Sequence, residues 1–288
     1  MATTADCWTA ALNAEVLTLL RDGATFADVA RFSPTVLVTT PTVILNLARA
    51  ATDQQTDIPA IPLIVLTGEP GGSIASTRRH IEERWTAHVV DVYAMTELGL
   101  LGASCATGSG VHLDETAFSV EAIAPDGEVP VADGDLAELV VSTLQPLSLP
   151  LERYRTGDLV RLSHAWCACG NPNVRAAGGI LGRVSQRLVV RGVELLLPSI
   201  EQVVRRHPAV VDYALLVYNV GERCEVAVQL EPDPAIASES DLARVAAEVS
   251  EDLRRTLGLR LQIDLLTPGI LSLQNQDAGR RARRLRRQ

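Results

Sequence analysis

Asp91-Val92-Tyr93-Ala94-Met95-Thr96-Glu97 is the stretch on which the reading of this 288-residue chain turns. It closes an apolar run, His88 to Tyr93, whose valines read as a β-strand. A small residue, a hydroxyl and a carboxylate follow. A strand ending this way suits a phosphate and a hard cation, with the Thr96 hydroxyl on a phosphate oxygen and the Glu97 carboxylate on the metal. Thr-Glu after a strand is equally an ordinary helix start. The rest of the chain decides between them.

Upstream, helical spacing over Trp8 to Asp22 and Phe26 to Phe32 precedes a β-branched strand, Thr35 to Thr39. Pro41 opens a helix to about Ala51, Pro62 to Thr67 is a strand, and Ser73 to Trp85 is a helix. Strands and helices in alternation predict a mostly parallel sheet of flavodoxin-like α/β type. Ligands collect beyond the carboxyl ends of such strands. Gly68-Glu69-Pro70 and Tyr93 to Glu97 both occupy such ends and are expected to face one site.

Downstream the character changes. Val111 to Leu113, Phe118 to Ile123 and Leu136 to Thr143 are strand-like, with turns at Asp126-Gly127 and Asp133-Gly134. Arg153 to Asp158, a Cys-rich loop and Gly182-Arg183 follow. Then come a strand at Leu188 to Val190, a helix at Pro198 to His207, strands at Val210 to Tyr218 and Cys224 to Leu230, a helix at Asp241 to Leu257, and a strand at Leu261 to Leu266. That βαββαβ order predicts a small α+β, ferredoxin-like domain. Ala237 to Asp241 reads as a polar loop. The expected division is a core over 1–184, with α/β character to 98 and β-rich character over 99–184, and a mobile α+β domain over 185–288.

Hydrophobic residues make up 47% of the chain, enough for a full core, but only 3% are aromatic, so Leu, Val, Ile and Ala must build it. A net charge of −9 argues against a nucleic-acid binder. The ending, 277–288, nevertheless carries six Arg; a solvated tail or a site for an anionic partner both fit it. All 26 basic residues are Arg, so no side chain can form a Schiff base or act as an ammonium donor. No apolar run reaches the roughly 20 residues of a membrane span. A cytoplasmic protein without nucleic-acid or membrane partners is expected.

Taken together, these motifs resemble the adenylate-forming superfamily, in particular its phenylacetate–coenzyme A ligase branch. Gly68-Glu69-Pro70 is similar to its adenine-side loop. Tyr93 to Glu97 is similar to its Tyr-Gly-x-Thr-Glu motif, with Ala94 in place of Gly. Tyr154-Arg155-Thr156-Gly157-Asp158 matches residue for residue. Gly182-Arg183, Arg191-Gly192-Val193 and Pro198-x-x-Glu201 follow its hinge and early C-terminal domain. The resemblance implies that Asp158 accepts the ribose hydroxyls, Arg183 sits near ribose or phosphate, Thr96 touches the α-phosphate and Glu97 holds Mg²⁺. Gly68, Glu69, Pro70 and Tyr93 would line the nucleotide, AMP, ATP or an acyl-adenylate, with coenzyme A as a possible acceptor.

Three departures accompany it. No Gly-rich phosphate loop precedes Gly68, so the chain reads as N-terminally shortened. The family's Gly-Lys-Ala-Arg-Arg ending survives as Gly279-Arg280-Arg281-Ala282-Arg283-Arg284, with Arg281, or in another register Arg280, at the place of the catalytic lysine. Ser185-Gln186 stand where hinge acids are usual. Arginine lacks the compact point-donor geometry of lysine, so stand-alone ATP-dependent adenylation is not expected.

Cys105, His112, Cys167 and Cys169 form a second constellation, Cys-x6-His and Cys-x-Cys, on loops either side of the β-rich segment. Four such ligands match a closed tetrahedral zinc site with a structural role. Four unrelated buried residues are the plainer alternative, and His164 competes with His112 as the nitrogen ligand. Cys7 and Cys224 read as core or incidental, Asp114 and Glu115 as an exposed turn or an acid–base pair, and His80, His88 and His207 have no evident partner.

Two functions stay open. One is an enzyme acting on a small, aryl-type carboxylic acid or its activated form, by acyl transfer or condensation in specialised metabolism, alone, as a homo-oligomer or with a partner chain that supplies the missing region. The other is a non-catalytic binding or scaffold subunit derived from such a ligase.

Overall fold

The computed structural model of the chain describes residues 26–145, 150–220, 223–236, 238–271 and 285–287. The expected helix at 8–22, Cys7, and Arg280 and Arg281 lie outside the described residues.

The described chain opens as helix α1 (Phe26–Phe32), strand β1 (Val36–Thr39), helix α2 (Pro41–Asp53), strand β2 (Leu63–Leu66), helix α3 (Ala75–Trp85) and strand β3 (His88–Met95). Pro41 sits in the first turn of α2, and Thr40 caps it by accepting from the Val43 amide at 3.3 Å. The strands pair in parallel in the order β1-β2-β3. Each crossover advances the same way, so right-handed connections put α2 and α3 on one face. There Ile44 and Leu47 of α2, Ile64 and Leu66 of β2, and Ile81 and Trp85 of α3 form a closed core with Phe26 and Val29.

Beyond β3 the same sheet continues antiparallel through β4 (Gly99–Ser104) and β5 (Gly110–Leu113), then β10 (Arg175–Ala177) and β9 (Leu162–Ser163). The sheet is therefore mixed, and it runs straight across residue 98, where the sequence suggested a change of subdomain. β4 is easily missed in sequence because two of its six residues are glycine. One of them is required: a Cβ on Gly102 would lie 2.2 Å from the His112 carbonyl oxygen.

A second sheet, ordered β11-β8-β7-β6, contains β6 (Phe118–Ile123), β7 (Ala137–Thr143), β8 (Tyr154–Val160) and β11 (Gly182–Arg183). Its inner residues, among them Leu139, Val141 and Val160, pack with Tyr93, Leu101 and Leu113 of the first sheet.

A 3₁₀ turn, Val184–Gln186, leads into the last part. Here β12 (Leu188–Val190) pairs, among the described residues, with β13 (Val193–Leu195) alone, through a turn whose two central residues, Arg191 and Gly192, both have positive φ. The four-stranded sheet, ordered β16-β15-β14-β17, is built from β14 (Val210–Val220), β15 (Arg223–Pro232), β16 (Gln262–Leu265) and β17 (Leu285–Arg287). It is covered by α4 (Leu197–Val204) and α5 (Glu239–Leu257). The α+β class holds, but 188–190 does not supply the sheet strand that a βαββαβ reading gives it; β17 lies beside β14 instead, in parallel. The polar loop expected over Ala237 to Asp241 is also shorter. Ser238 caps α5 by accepting from the Asp241 amide at 3.0 Å, and the helix begins at Glu239. Ser238→Ala is expected to lower stability by about 1 kcal/mol in a urea titration, with an unchanged m-value.

Buried polar contacts tie this part to the first. The Thr77 hydroxyl donates to Glu201 at 3.0 Å, and Arg49 pairs with Glu231. No helix among the described residues is long and apolar enough to cross a membrane.

Candidate functional site

Asp158 lies on β8, opposite Arg183 of β11 in the strand register. Arg183 Nη1 donates to its Oδ1 at 2.7 Å, and the Tyr93 hydroxyl donates to its Oδ2 at 2.7 Å. The second bond joins the two sheets. The Thr156 hydroxyl holds the strand locally, accepting from the Asp158 amide at 3.1 Å and donating to the Leu139 carbonyl at 2.8 Å. Between them Gly157 has φ +70°, and a Cβ there would stand 3.2 Å from Arg183 Nη2. Glycine thus meets a backbone need and leaves room for the guanidinium to approach the strand.

The carboxylate of Asp158 is buried, while the Arg183 side chain is 44% exposed. A carboxylate accepts about four hydrogen bonds. Two are filled from within, which fixes its plane and leaves capacity for a pair of hydroxyl donors. Burial, then the Asp158 charge, pushes the Tyr93 phenol above its ordinary value, so it remains a donor.

Thr96 and Glu97 occupy the hairpin turn from β3 into β4, so the helix-start reading is set aside. Both are exposed, and neither side chain is hydrogen-bonded to another described residue. β2 and β3 are neighbours, which places Gly68-Glu69-Pro70 and the Thr96–Glu97 turn after adjacent parallel strands. Gly68 has φ +85°. Glu69 is committed elsewhere: its carboxylate accepts from the hydroxyl and the amide of Thr42 at the start of α2. That is a helix-capping contact, so of this loop only Gly68 and Pro70 have no side-chain commitment of that kind.

Asp91, quoted in the deciding stretch but given no role there, is buried on β3 beside Ser73 and Gly72. It accepts from the Ser73 hydroxyl, and a Cβ on Gly72 would come within 2.7 Å of it. Burial raises its pKa to about 6, against the opposing Ser73 bond and Arg78 charge. The unfolded carboxyl titrates near 3.9. The folded state therefore holds more protons between about pH 4 and 6, and stability falls as pH rises through that window, by at most about 1.4 kcal/mol per unit. Denaturant titrations from pH 4 to 7 are expected to lose this slope in Asp91→Asn.

The second constellation converges. Ligand atoms of Cys105, after β4, His112 on β5, and Cys167 and Cys169 in the loop between β9 and β10 all lie within 4.8 Å of one another. Cys105 and Cys167 sulfurs are 3.7 Å apart, and Cys169 Sγ is 3.5 Å from His112 Nε2. A tetrahedral zinc with bonds of about 2.3 Å to sulfur and 2.0–2.1 Å to nitrogen puts its ligands about 3.5–3.8 Å apart. His112 Nδ1 donates to the Asn173 carbonyl at 3.0 Å, so its Nε2 lone pair faces the sulfurs. The Cys169 backbone amide holds the Cys167 thiol down to about 5, and the Asn171 amide donates to Cys169 at 3.4 Å. The donor set fits zinc. His164 lies apart, bonded to Asp133 at 2.8 Å, which decides between the two histidines. Asn173 and Asn171 carry no sequence signal because they act through backbone groups.

Other residues resolve as structure. Glu115 accepts from the Val174 amide and Asp114 from the Thr116 amide and hydroxyl, so neither stands as an acid–base pair. His207, expected to lack a partner, pairs with Asp252 at 3.1 Å.

A parallel βαβαβ unit that joins a β-rich sheet, with a fixed Asp–Arg pair before a 3₁₀ turn and an α+β unit after it, is an architecture shared with a solved acyl-CoA ligase. Residues 192–284 match the AMP-binding enzyme C-terminal domain family, and the chain belongs to the adenylate-forming superfamily. Within it the chain is similar to phenylacetate–coenzyme A ligases: 31% identical over 249 residues to that of Pseudomonas putida, covering 83% of this chain and 55% of the relative. The Thermus thermophilus ligase is 28% identical over 258 residues, covering 83% and 57%. A 2-hydroxyisobutyryl-CoA ligase solved in the postadenylation state with R3-HIB-AMP shares the fold, with a TM-score of 0.79 at 21% identity over 91% of this chain and 56% of that one. The chain spans about half the length of the curated relatives it matches.

Proposed function

We propose that this chain binds the AMP part of an acyl-adenylate derived from a small, aryl-type carboxylic acid and takes part in transferring the acyl group to a thiol or amine. Asp158 receives the ribose hydroxyls, Arg183 lies beside the ribose and phosphate, and Gly68 and Pro70 run along the adenine. Thr96 reaches the α-phosphate, and Glu97 holds Mg²⁺. In the transfer the acceptor's thiol or amine attacks the adenylate carbonyl. A C–S or C–N bond forms, the acceptor's proton passes to solvent, the C–O bond to AMP breaks, and AMP leaves with the electron pair. The observation that carries this reading is the doubly held Asp158, a carboxylate preorganised before any ligand arrives.

Residues 185–288 act as the mobile domain, pivoting on the turn at Val184–Gln186. Arg281 stands at the place of the family's lysine without its point-donor geometry, so the activated acid comes from elsewhere. Cys105, His112, Cys167 and Cys169 hold a zinc ion that staples two loops. With four protein ligands it has no open position and supplies no catalysis. A second reading, a non-catalytic binding subunit, rests on the same arginine.

Calorimetry with ATP, AMP and an aryl-AMP analogue, together with pyrophosphate exchange, tests the proposal. Tightest binding of the aryl-AMP analogue without exchange is expected. Acyl transfer from a supplied adenylate separates the enzyme from the binding subunit. No binding of any nucleotide would sink both.

A further inference from the structure

β8 is irregular where it carries the site. Ala137 and Glu138 of β7 pair with Val160 and Leu159, but Val140 and Val141 pair with Arg155 and Tyr154, so Thr156, Gly157 and Asp158 together stand opposite Leu139 alone. A bulge of this kind breaks the ladder and re-aims side chains. Its backbone amides lose their ladder partners, and buried amides must find other acceptors. The Asp158 amide is taken inside the bulge, by the Thr156 hydroxyl. The Gly157 amide is taken from outside it, by Oε1 of Glu138 at 3.1 Å.

Glu138 is out of place by any other reading. It is buried, and so are Ala137, Leu139, Val140 and Val141 around it, all apolar. An apolar side chain would suit this strand without desolvating a charge, which is costly even in a pair. Its Oε2 accepts from Arg155 Nε at 3.0 Å and from Nη2. The Arg155 side chain reaches out to water. One oxygen therefore meets a counter-ion, and the other holds the bulge.

We propose that Glu138 is a positioning residue: through the Gly157 amide it fixes the bulge, and with it the placement of the Asp158 carboxylate and the Arg183 guanidinium. Tyr93 and Arg183 hold Asp158 by its oxygens; Glu138 holds the backbone that carries it. Without that hold the Gly157 peptide is free to turn, and Asp158 loses its aim although the residue itself is intact. Arg183 follows, because its Nη2 lies 3.2 Å from the Cβ position of Gly157 and its Nη1 is bound to Asp158. A site keeps its affinity only while its supporting contacts hold it to within about 0.5 Å. The effect on nucleotide affinity rests on the proposed ribose site; the effect on Arg183 does not.

The test compares wild type with Glu138→Leu, Glu138→Thr and Glu138→Gln in the full chain. Leucine offers no acceptor, the threonine hydroxyl is too short to reach Gly157, and glutamine keeps one oxygen for the amide while Arg155 turns to water. Calorimetry measures an aryl-AMP analogue and its 2′,3′-dideoxy counterpart. In the leucine and threonine variants the aryl-AMP analogue is expected to bind about tenfold more weakly, with the dideoxy compound nearly unchanged, so that the preference for ribose hydroxyls collapses. Glu138→Gln is expected to recover most of that preference. Phenylglyoxal labelling of Arg183, read by mass spectrometry without ligand, is expected to quicken about threefold in the leucine and threonine variants and not in Glu138→Gln, because the guanidinium is released from its charge-assisted bond. Equal weakening of both compounds, a glutamine variant as poor as the leucine one, or unchanged Arg183 labelling overturns the proposal. So does loss of the fold in both Glu138→Leu and Glu138→Thr, which would make Glu138 a folding residue. A wild type that does not distinguish the two compounds fails the ribose site instead, and the Arg183 labelling alone then decides the role of Glu138.

Discussion

Serine in place of Cys167 is expected to release the bound metal and to lower stability by about 3–4 kcal/mol, the linkage value for a ligand held at 100–1,000 times its Kd. The four ligand atoms come from three separate places in the chain, and among the described residues no disulfide or helix joins the two loops that carry the cysteines. A metal there stabilises the folded state alone, because the site does not exist without the fold, so its binding free energy is folding free energy. Cys167 is the buried thiol of the three, so a hydroxyl left in its place also loses packing. Elemental analysis of the wild type is expected to give about one zinc per chain, and chelation of the wild type to reproduce the melting behaviour of Cys167→Ser. Thiol labelling gives the opposite check. Cys105, Cys167 and Cys169 should resist alkylation until a chelator is added. Free alkylation of the folded protein, with no zinc, rejects the site. His164→Ala should change neither metal content nor stability by more than a few tenths of a kcal/mol, since that residue pairs only at the surface with Asp133.

Asp158→Asn is expected to weaken binding of an aryl-AMP analogue by about 10- to 100-fold, the worth of about 1.5–3 kcal/mol for hydrogen bonds to a charged group. The present carboxylate accepts from Tyr93 on one oxygen and Arg183 on the other. An amide offers one acceptor oxygen, so its NH₂ must face either a phenol or a guanidinium. The Arg183 side chain is then released from its place beside Gly157. Tyr93→Phe is the milder companion: one donor is lost, the Arg183 contact is kept, and a few-fold weakening is expected. Calorimetry on folded variants with matched melting curves separates binding from stability. Equal affinity in wild type and Asp158→Asn would remove the ribose assignment altogether.

Some of this was legible in the chain. β6 and β12 fall on their expected residues, and α1 to α3 and β1 to β3 lie within a few residues of theirs, because helical and strand periodicities there agree with burial on a single face. β8 was not read as a strand, since Arg-Thr-Gly-Asp has no apolar alternation. It is held instead by Glu138, which takes the Gly157 amide and Arg155. β17 lies in an arginine-rich ending that reads as solvated from sequence, yet it pairs with β14.

The motifs by themselves determined the family and the residues to examine, because local spacing preserves which side chains a ligand would need. They also named four metal-type ligands. Only the tertiary structure decided which histidine joins the sulfurs, that Glu69 caps a helix, and that Asp158 is gripped from two sheets. Those outcomes depend on side-chain contacts between residues 25 to 65 positions apart, and sequence pattern is blind at that range. The Tyr93 to Glu97 stretch shows both sides. The valines just before it declared a strand, but only the tertiary structure set its Thr96 and Glu97 in an exposed hairpin turn.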